Sequence, residues 1–309
     1  MSKILVAGGA GFLGSHLCEL LSSSGHDLLI VDDFSSGTRT NLSELERSIR
    51  LVDSEVSQFR TDERFDAVVN LASRASRKEW ETYPVNVALT NSLGNNNLIN
   101  IALKGKSLYL YASSSEIYGN PATVPTSEEY LGSVSTTGSR SPYDEGKRFG
   151  ESLVKAYERQ HGLKSIIVRF FNTYGPRMRG DDLYGRVVDR FVKQALSGSS
   201  LTVYGDGRQT RSFTFVSDTV RAIDLLIRKG EPGSVYNVGS DRETRIIDLA
   251  ELIVRLTGSG SRIDFLPLPE HDPARRAADI SRMRQLGWEP MVSLEEGIRA
   301  TIEHFTSSR

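Results

Sequence analysis

The chain carries a single cysteine, Cys18, in 309 residues, so no disulfide framework can form within a monomer. Cys18 lies inside the first helical pattern, among neighbours that suit core packing better than chemistry. Histidine is nearly as scarce, and His16, His26, His161, His271 and His304 show no metal-ligand spacing, so they read as surface or packing residues and no metal is expected. Neither sign of charge is in excess. With 38 Lys and Arg against 39 Asp and Glu, the net charge of −1 gives no electrostatic reason to expect nucleic acid or an anionic membrane as partner. Long uncharged apolar runs are missing too, and the N-terminus passes into a strand pattern without a signal peptide. A cytoplasmic protein without a membrane partner is the expectation. Internal repeats and low-complexity segments are also absent, and the Ser-rich stretch from Gly132 to Ser141 reads as a loop.

What is present is alternation. Apolar runs at Ile4–Ala7, Leu28–Val31, Ala67–Leu71, Leu108–Ala112 and Ile166–Phe171 are separated by helical patterns at Ser15–Leu21, Val85–Leu103 and Pro142–Gln160. That order predicts an α/β fold, a Rossmann-type doubly wound parallel sheet with helices on both faces. After Pro176 the pieces shorten: strands at Leu201–Tyr204 and Val235–Val238 mix with helices at Val187–Leu196, Thr219–Arg228, Ile247–Leu256 and Leu294–His304. The reading is a first domain over residues 1–175 and a smaller α/β lobe over 176–309, partly interleaved with it.

Two motifs carry chemistry. Gly8-Gly9-Ala10-Gly11-Phe12-Leu13-Gly14 lies between the first apolar run and the first helix, the order in which backbone N–H groups and a helix N-terminus hold a pyrophosphate. The second run ends at Asp32, where a carboxylate accepts from both ribose hydroxyls and repels a 2′-phosphate, so NAD is expected over NADP, although Arg39 offers a phosphate partner. In Ser141-Pro142-Tyr143-Asp144-Glu145-Gly146-Lys147 the phenol and ammonium share one helix face. Bringing a phenol from its usual pKa near 10 to neutrality takes roughly 4 kcal/mol. One lysine charge at about 5 Å in an effective dielectric near 20 supplies roughly 3 kcal/mol of that.

Gly8, Gly11 and Gly14 together with Tyr143 and Lys147 resemble the extended short-chain dehydrogenase/reductases that act on nucleotide sugars. The resemblance spans nearly the whole chain, through Thr90-Asn91-Ser92-Leu93-Gly94, Asn172-Thr173-Tyr174-Gly175-Pro176-Arg177 and Leu286-Gly287-Trp288-Glu289-Pro290. Within that family, three segments are most similar to the UDP-glucuronate decarboxylases, or UDP-xylose synthases: Ser113–Gly119, Tyr143–Arg148 and Leu201–Phe213. The resemblance implies NAD contacts at Gly8, Gly11, Phe12, Leu13, Gly14, Asp32 and Asp53, and further ones at Leu71, Ala72, Ser73, Asn91, Tyr143 and Lys147. It implies catalysis by Tyr143, Lys147 and Ser114, with Ser115 and Glu116 at the two following positions, where dehydratases carry an Asp-Glu pair and 4-epimerases small neutral residues. It implies a UDP-sugar held by Asn172, Arg186, Val187, Tyr204, Arg211 and Arg276, with Arg275 facing solvent, and a homodimer paired through the helices near Val85–Leu103 and Pro142–Gln160. Two departures stand out: Arg74 replaces the usual proline after Leu71-Ala72-Ser73, and the stretch from Arg179 to Tyr184 is about two residues longer than in the decarboxylases and similar to epimerase loops. A UDP-sugar 4-epimerase is therefore the enzymatic alternative, and a non-catalytic NAD-binding protein the other, although such proteins generally lose the tyrosine or the lysine.

Overall fold

The computed structural model describes residues 1–178, 187–268 and 274–307. Strands β1 (Lys3–Ala7), β2 (Asp27–Asp32), β3 (Ile49–Asp53), β4 (Ala67–Asn70), β5 (Leu108–Ser114) and β6 (Ser165–Phe170) come first. Then follow β7 (Thr173–Tyr174), β8 (Leu201–Tyr204), β9 (Thr210–Ser212), β10 (Thr214–Phe215), β11 (Val235–Val238), β12 (Glu243–Arg245), β13 (Ile263–Leu266) and β14 (Arg275–Arg276). The helices are α1 (Phe12–Ser23), α2 (Arg77–Thr82), α3 (Pro84–Leu89), α4 (Asn95–Gly105), α5 (Ser141–His161), α6 (Val187–Leu196), α7 (Val216–Lys229), α8 (Ile246–Thr257), α9 (Ser281–Gln285) and α10 (Leu294–Ser307). None among the described residues is long and apolar enough to cross a membrane.

The main sheet has the order β11-β6-β5-β4-β1-β2-β3, and every pairing from β3 through to β6 is parallel. Ile4 to Ala7 of β1 and all of β4 are buried, as strands covered by helices on both faces must be. The order reverses between β1 and β4. Their following loops leave in opposite directions and open a crevice at the carboxyl ends of the strands, the ligand position of open α/β sheets.

Two compact units make up the chain, one of Met1–Ile117, Val134–Phe170 and Val220–Tyr236, the other of Tyr118–Ser133, Phe171–Thr219 and Asn237–Arg309. In the first, Leu5, Val31, Val68, Leu98, Tyr109 and Ile167 belong to a continuous apolar core. In the second, β9 lies between β12 and β14, and β8 pairs with β13. Trp288 fastens the C-terminal part of this unit: its indole N–H donates to the Asp218 carbonyl (3.0 Å), and Asp218 Oδ2 accepts from the N–H groups of Met291 and Val292 at 3.0 and 2.9 Å.

Three details differ from the sequence reading. β3 was not expected, because as an edge strand it is only half buried and shows no apolar run. Val235–Val238 is an edge strand of the main sheet beside β6, not a strand of a separate lobe. The helix expected over Val85–Leu103 is interrupted by a π turn at Thr90–Gly94. Inside that turn the Asn91 side chain donates to the Val87 carbonyl one turn back (2.9 Å), a local competition that loosens regular helical pairing. Such turns often mark functional sites.

Candidate active site

The glycine loop is shaped by close backbone approach. A Cβ on Gly14 would stand 2.1 Å from the Gly8 carbonyl oxygen, and one on Gly8, whose φ is +77°, would stand 2.8 Å from the Ala72 nitrogen. Only glycines let the loop from β1 pack on both α1 and the loop after β4. Gly11 begins α1 without a side-chain cap, so Phe12, Leu13 and Gly14 open the helix with backbone N–H groups available to an anion. Asp32 ends β2, buried. Its Oδ2 accepts from the Ala10 N–H (2.8 Å) and Oδ1 from the Phe34 N–H (2.9 Å), which fixes the carboxylate beside the loop. Burial raises its pKa and the two N–H groups oppose that. The cradle and the anchored acid fit a dinucleotide.

On the other side of the crevice, Asn70 Oδ1 accepts from the Ala72 N–H (3.2 Å), turning the chain through Leu71 and Ala72 to Ser73, whose hydroxyl donates to Asn91 Oδ1 (3.1 Å). Asp53 pairs in register with Asp32 but is exposed and bound to Arg39 at 2.7 Å. Arg39 is thus held by Asp53 and stacks over Phe34 (4.3 Å). Arg74, in place of the usual proline, bridges Asp33 (3.4 Å) and Glu79 (3.0 Å), so ion pairs brace a loop that proline would stiffen.

Tyr143 and Lys147 lie buried on α5, facing the carboxyl end of β5. Tyr143 hydrogen-bonds Ser114, the last residue of β5. Lys147 Nζ donates to the Ala112 carbonyl (2.7 Å) and sits 5.2 Å from the Tyr111 ring centroid. Ser115 is buried, and Ser114 Oγ accepts from the Glu116 N–H (3.2 Å), which starts a short 3-10 turn. The Glu116 carboxylate is ion-paired with Arg140.

The electrostatic balance differs from the sequence estimate. Burial pushes the Tyr143 phenol up to about 12, with Glu116 and Asp144 adding to the rise and the Ser114 hydrogen bond and Arg140 opposing it. Burial pushes Lys147 down to about 7, against the pull of Glu151. The sequence estimate counted the lysine charge and omitted the cost of burying a phenolate, and in the ligand-free protein that cost wins.

The second unit brings two buried guanidinium groups together: Arg211 on β9 and Arg276 on β14 are register partners in a parallel pair. Arg211 also donates to the Thr210 carbonyl (2.8 Å). Asn172 Nδ2 donates to the Ser212 carbonyl (3.1 Å), one residue beyond Arg211. Tyr204 ends β8 under the Arg190 guanidinium (5.2 Å), and Val187 begins α6. Arg275 is exposed and bound to Glu243. Arg186, the Arg179 to Tyr184 stretch and His271 lie outside the described residues.

Residues 4–239 match the NAD dependent epimerase/dehydratase family. The chain belongs to that family. It is 42% identical over 306 residues to UDP-glucuronic acid decarboxylase 1 of Xenopus tropicalis, covering 98% of this chain and 72% of that one. Among solved structures, UDP-glucose 4-epimerase of Thermotoga maritima, crystallised with UDP-glucose, superposes with a TM-score of 0.89 at 31% identity, covering 99% of each chain. UDP-glucuronic acid 4-epimerase of Bacillus cereus, in complex with UDP-glucuronic acid and NAD, superposes with a TM-score of 0.89 at 29% identity, covering 99% of this chain and 100% of that one. The cofactor of this epimerase/dehydratase chain is NAD.

Sequence reasoning missed two members of the site. Trp80 of α2 stacks on Tyr143 with ring centroids 5.3 Å apart, and the Arg140 guanidinium lies 5.6 Å from the Trp80 ring. Arg140 thus touches Glu116, Asp144 (3.5 Å) and Trp80 around the phenol. The one signal for it was its place directly before Ser141-Pro142, in a stretch that otherwise reads as loop.

Proposed function

We propose that this protein converts UDP-glucuronate to UDP-xylose and carbon dioxide through a 4-keto sugar, in the cytoplasm and as a homodimer. The observation that carries this reading is the Ser114-Ser115-Glu116 run at the end of β5, with Glu116 held by Arg140 beside Tyr143. The decarboxylase relative at 42% identity supports it. Residues 1–175 serve NAD and 176–309 the nucleotide sugar. NAD held by the Gly8–Gly14 loop and Asp32 would supply a hydride acceptor for C4 and, once reduced, the donor that restores it, and its oxidised form would add positive charge to the site.

Tyr143, oriented by Ser114 and with the Lys147 ammonium beside it, accepts the 4-hydroxyl proton as phenolate, the form that burial disfavours and that the positive charges of Lys147 and of NAD⁺ would favour once the cofactor is bound. The new ketone places the substrate carboxylate in a β-keto relation, so the C5–carboxyl bond breaks with its electron pair delocalised into the C4 oxygen. Tyr143 and Ser114 donate hydrogen bonds to that oxyanion. Ser115 and Glu116 position the sugar and serve carbon dioxide loss or protonation of C5. Arg211 suits the diphosphate, since a guanidinium binds phosphate oxygens in pairs, with Asn172 beside it, and Arg276 suits the sugar or its carboxylate. Val187, Tyr204 and Arg186 complete the nucleotide-sugar contacts.

Incubation with UDP-glucuronate, followed by NMR of the sugar and trapping of carbon dioxide, tests the reading. UDP-xylose with equimolar carbon dioxide is the expected result. A 4-epimer formed without carbon dioxide would replace it with the epimerase reading, which the likeness to a UDP-glucuronic acid 4-epimerase favours.

Asp32→Ala is expected to weaken NAD roughly tenfold to a hundredfold and to narrow the preference over NADP, because the ribose hydroxyls lose a charged acceptor and a 2′-phosphate loses its repulsion. Calorimetric titration of both cofactors checks it, and unchanged NAD affinity would remove Asp32 from the ribose. For the dimer, Val85, Leu89 and Leu93 recur every fourth residue and are exposed, and Phe149 of α5 is exposed as well. Leu89→Glu with Leu93→Glu is expected to give a monomer in light scattering, and a persistent dimer would move the interface elsewhere.

A further inference from the structure

Below the Tyr143–Lys147 pair lies a buried charged cluster that the proposed reaction leaves unused. Glu151 stands one helical turn beyond Lys147, on the same face of α5. Its Oε1 accepts from the Ser113 hydroxyl and from Arg169 Nε (2.9 Å), and its Oε2 from Arg169 Nη2 (2.7 Å). Ser113 and Arg169 are themselves register partners on β5 and β6. The ion pair is secluded, the two side chains being 11% and 12% exposed. Gly150 lets the helix come this close, since a Cβ there would stand 2.0 Å from the Tyr111 hydroxyl oxygen.

We propose that Glu151 is a positioning residue that keeps Lys147 charged under the active-site phenol, with Arg169 and Ser113 holding its carboxylate and setting how much of its charge Lys147 experiences. The proposal rests on the reading of Tyr143 and Lys147 as the proton-transfer pair. Around Lys147, α5 contributes Tyr143, Asp144 and Glu151 and β5 contributes Tyr111, while Arg169 of β6 reaches the cluster through Glu151. α3 and the π turn contain no acid or base, and the single one in α4, Lys104, pairs with Asp62. Asp144, one turn before Lys147 on α5, is held by Arg140 (3.5 Å), which leaves Glu151 as the carboxylate one turn beyond Lys147 on the same face. Among the described residues Lys147 otherwise meets the Ala112 carbonyl and the rings of Tyr111 and Tyr143, and burial works against the charge.

Electrostatic and purely structural roles differ in sign. Glu151→Gln keeps the shape but strands the Arg169 cation near Lys147, so ammonium loses a proton more easily. Arg169→Met strands the Glu151 carboxylate instead, so ammonium holds its proton more tightly. With the full-length protein and 13Cε-labelled lysine, the Lys147 resonance is assigned by its loss in Lys147→Met and titrated by NMR. Its midpoint is expected to fall by about one pH unit in Glu151→Gln and to rise by about one in Arg169→Met, a tenfold change in the charged-to-neutral ratio each way. The alkaline limb of turnover should move in the same directions. Midpoints that move together, or not at all, would overturn the proposal and leave the cluster a clamp between α5 and the sheet. If a stranded charge prevents folding, Glu151→Gln with Arg169→Gln keeps the hydrogen-bonding frame neutral, and a midpoint below wild type supports the proposal while an unchanged one overturns it. The titration needs no substrate, so a wild-type protein inactive on UDP-glucuronate would sink the decarboxylase reading and still decide this one.

Discussion

Replacing Tyr143 with Phe lowers turnover of UDP-glucuronate by roughly 10² to 10⁴, with NAD binding little changed. The substitution removes one oxygen and keeps the ring that stacks on Trp80 at 5.3 Å. Ser114 loses its partner on Tyr143 but still receives the Glu116 N–H, so the end of β5 keeps its shape. Because the phenol is buried and pushed up to about 12, it carries its proton in the ligand-free protein at neutral pH, and removing its oxygen strands no charge there. Thermal unfolding should therefore be near wild type, which separates lost chemistry from lost fold. Turnover by NMR and NAD affinity by calorimetry check the result. Wild-type-like turnover in the Phe variant would take the proton acceptor away from Tyr143.

The main sheet was legible because its central strands are short apolar runs bounded by turn residues, and the glycine loop and Asp32 declare themselves by order along the chain. β3 was not, since an edge strand such as Ile49–Asp53 has one face to bury and no run to show. Of the site, Tyr143 and Lys147 were found because their spacing is local, and Ser114 because its position after a strand was joined to the family resemblance. Arg140, Trp80 and Glu151 were missed because their importance is tertiary: each matters through a partner on another element, Glu116, Tyr143 and Arg169 respectively. The phenol estimate failed for a similar reason. Spacing gives the distance between two charges, but the cost of burying one depends on everything packed around it.

Glu116→Gln combined with Ser115→Ala slows carbon dioxide release by about 10² or more while the first hydride transfer from the sugar survives. Order explains the split, since a carboxylate leaves only after C4 has become a ketone, and forming the ketone depends on Tyr143 and Ser114. Glu116 is one of the charges that pushes the Tyr143 phenol up, so neutralising it moves the phenol toward the range a base needs. Arg140 loses its Glu116 partner yet keeps Asp144 at 3.5 Å and the Trp80 face, so the entrance to α5 stays braced. Mixing the variant with UDP-glucuronate should therefore raise the near-ultraviolet absorbance of reduced nicotinamide, held on the protein, faster than carbon dioxide appears. Loss of carbon dioxide release with no absorbance rise would place Glu116 before ketone formation. Release of carbon dioxide at the wild-type rate would remove both side chains from the decarboxylation step and leave Tyr143 and Ser114 to stabilise the enolate without them.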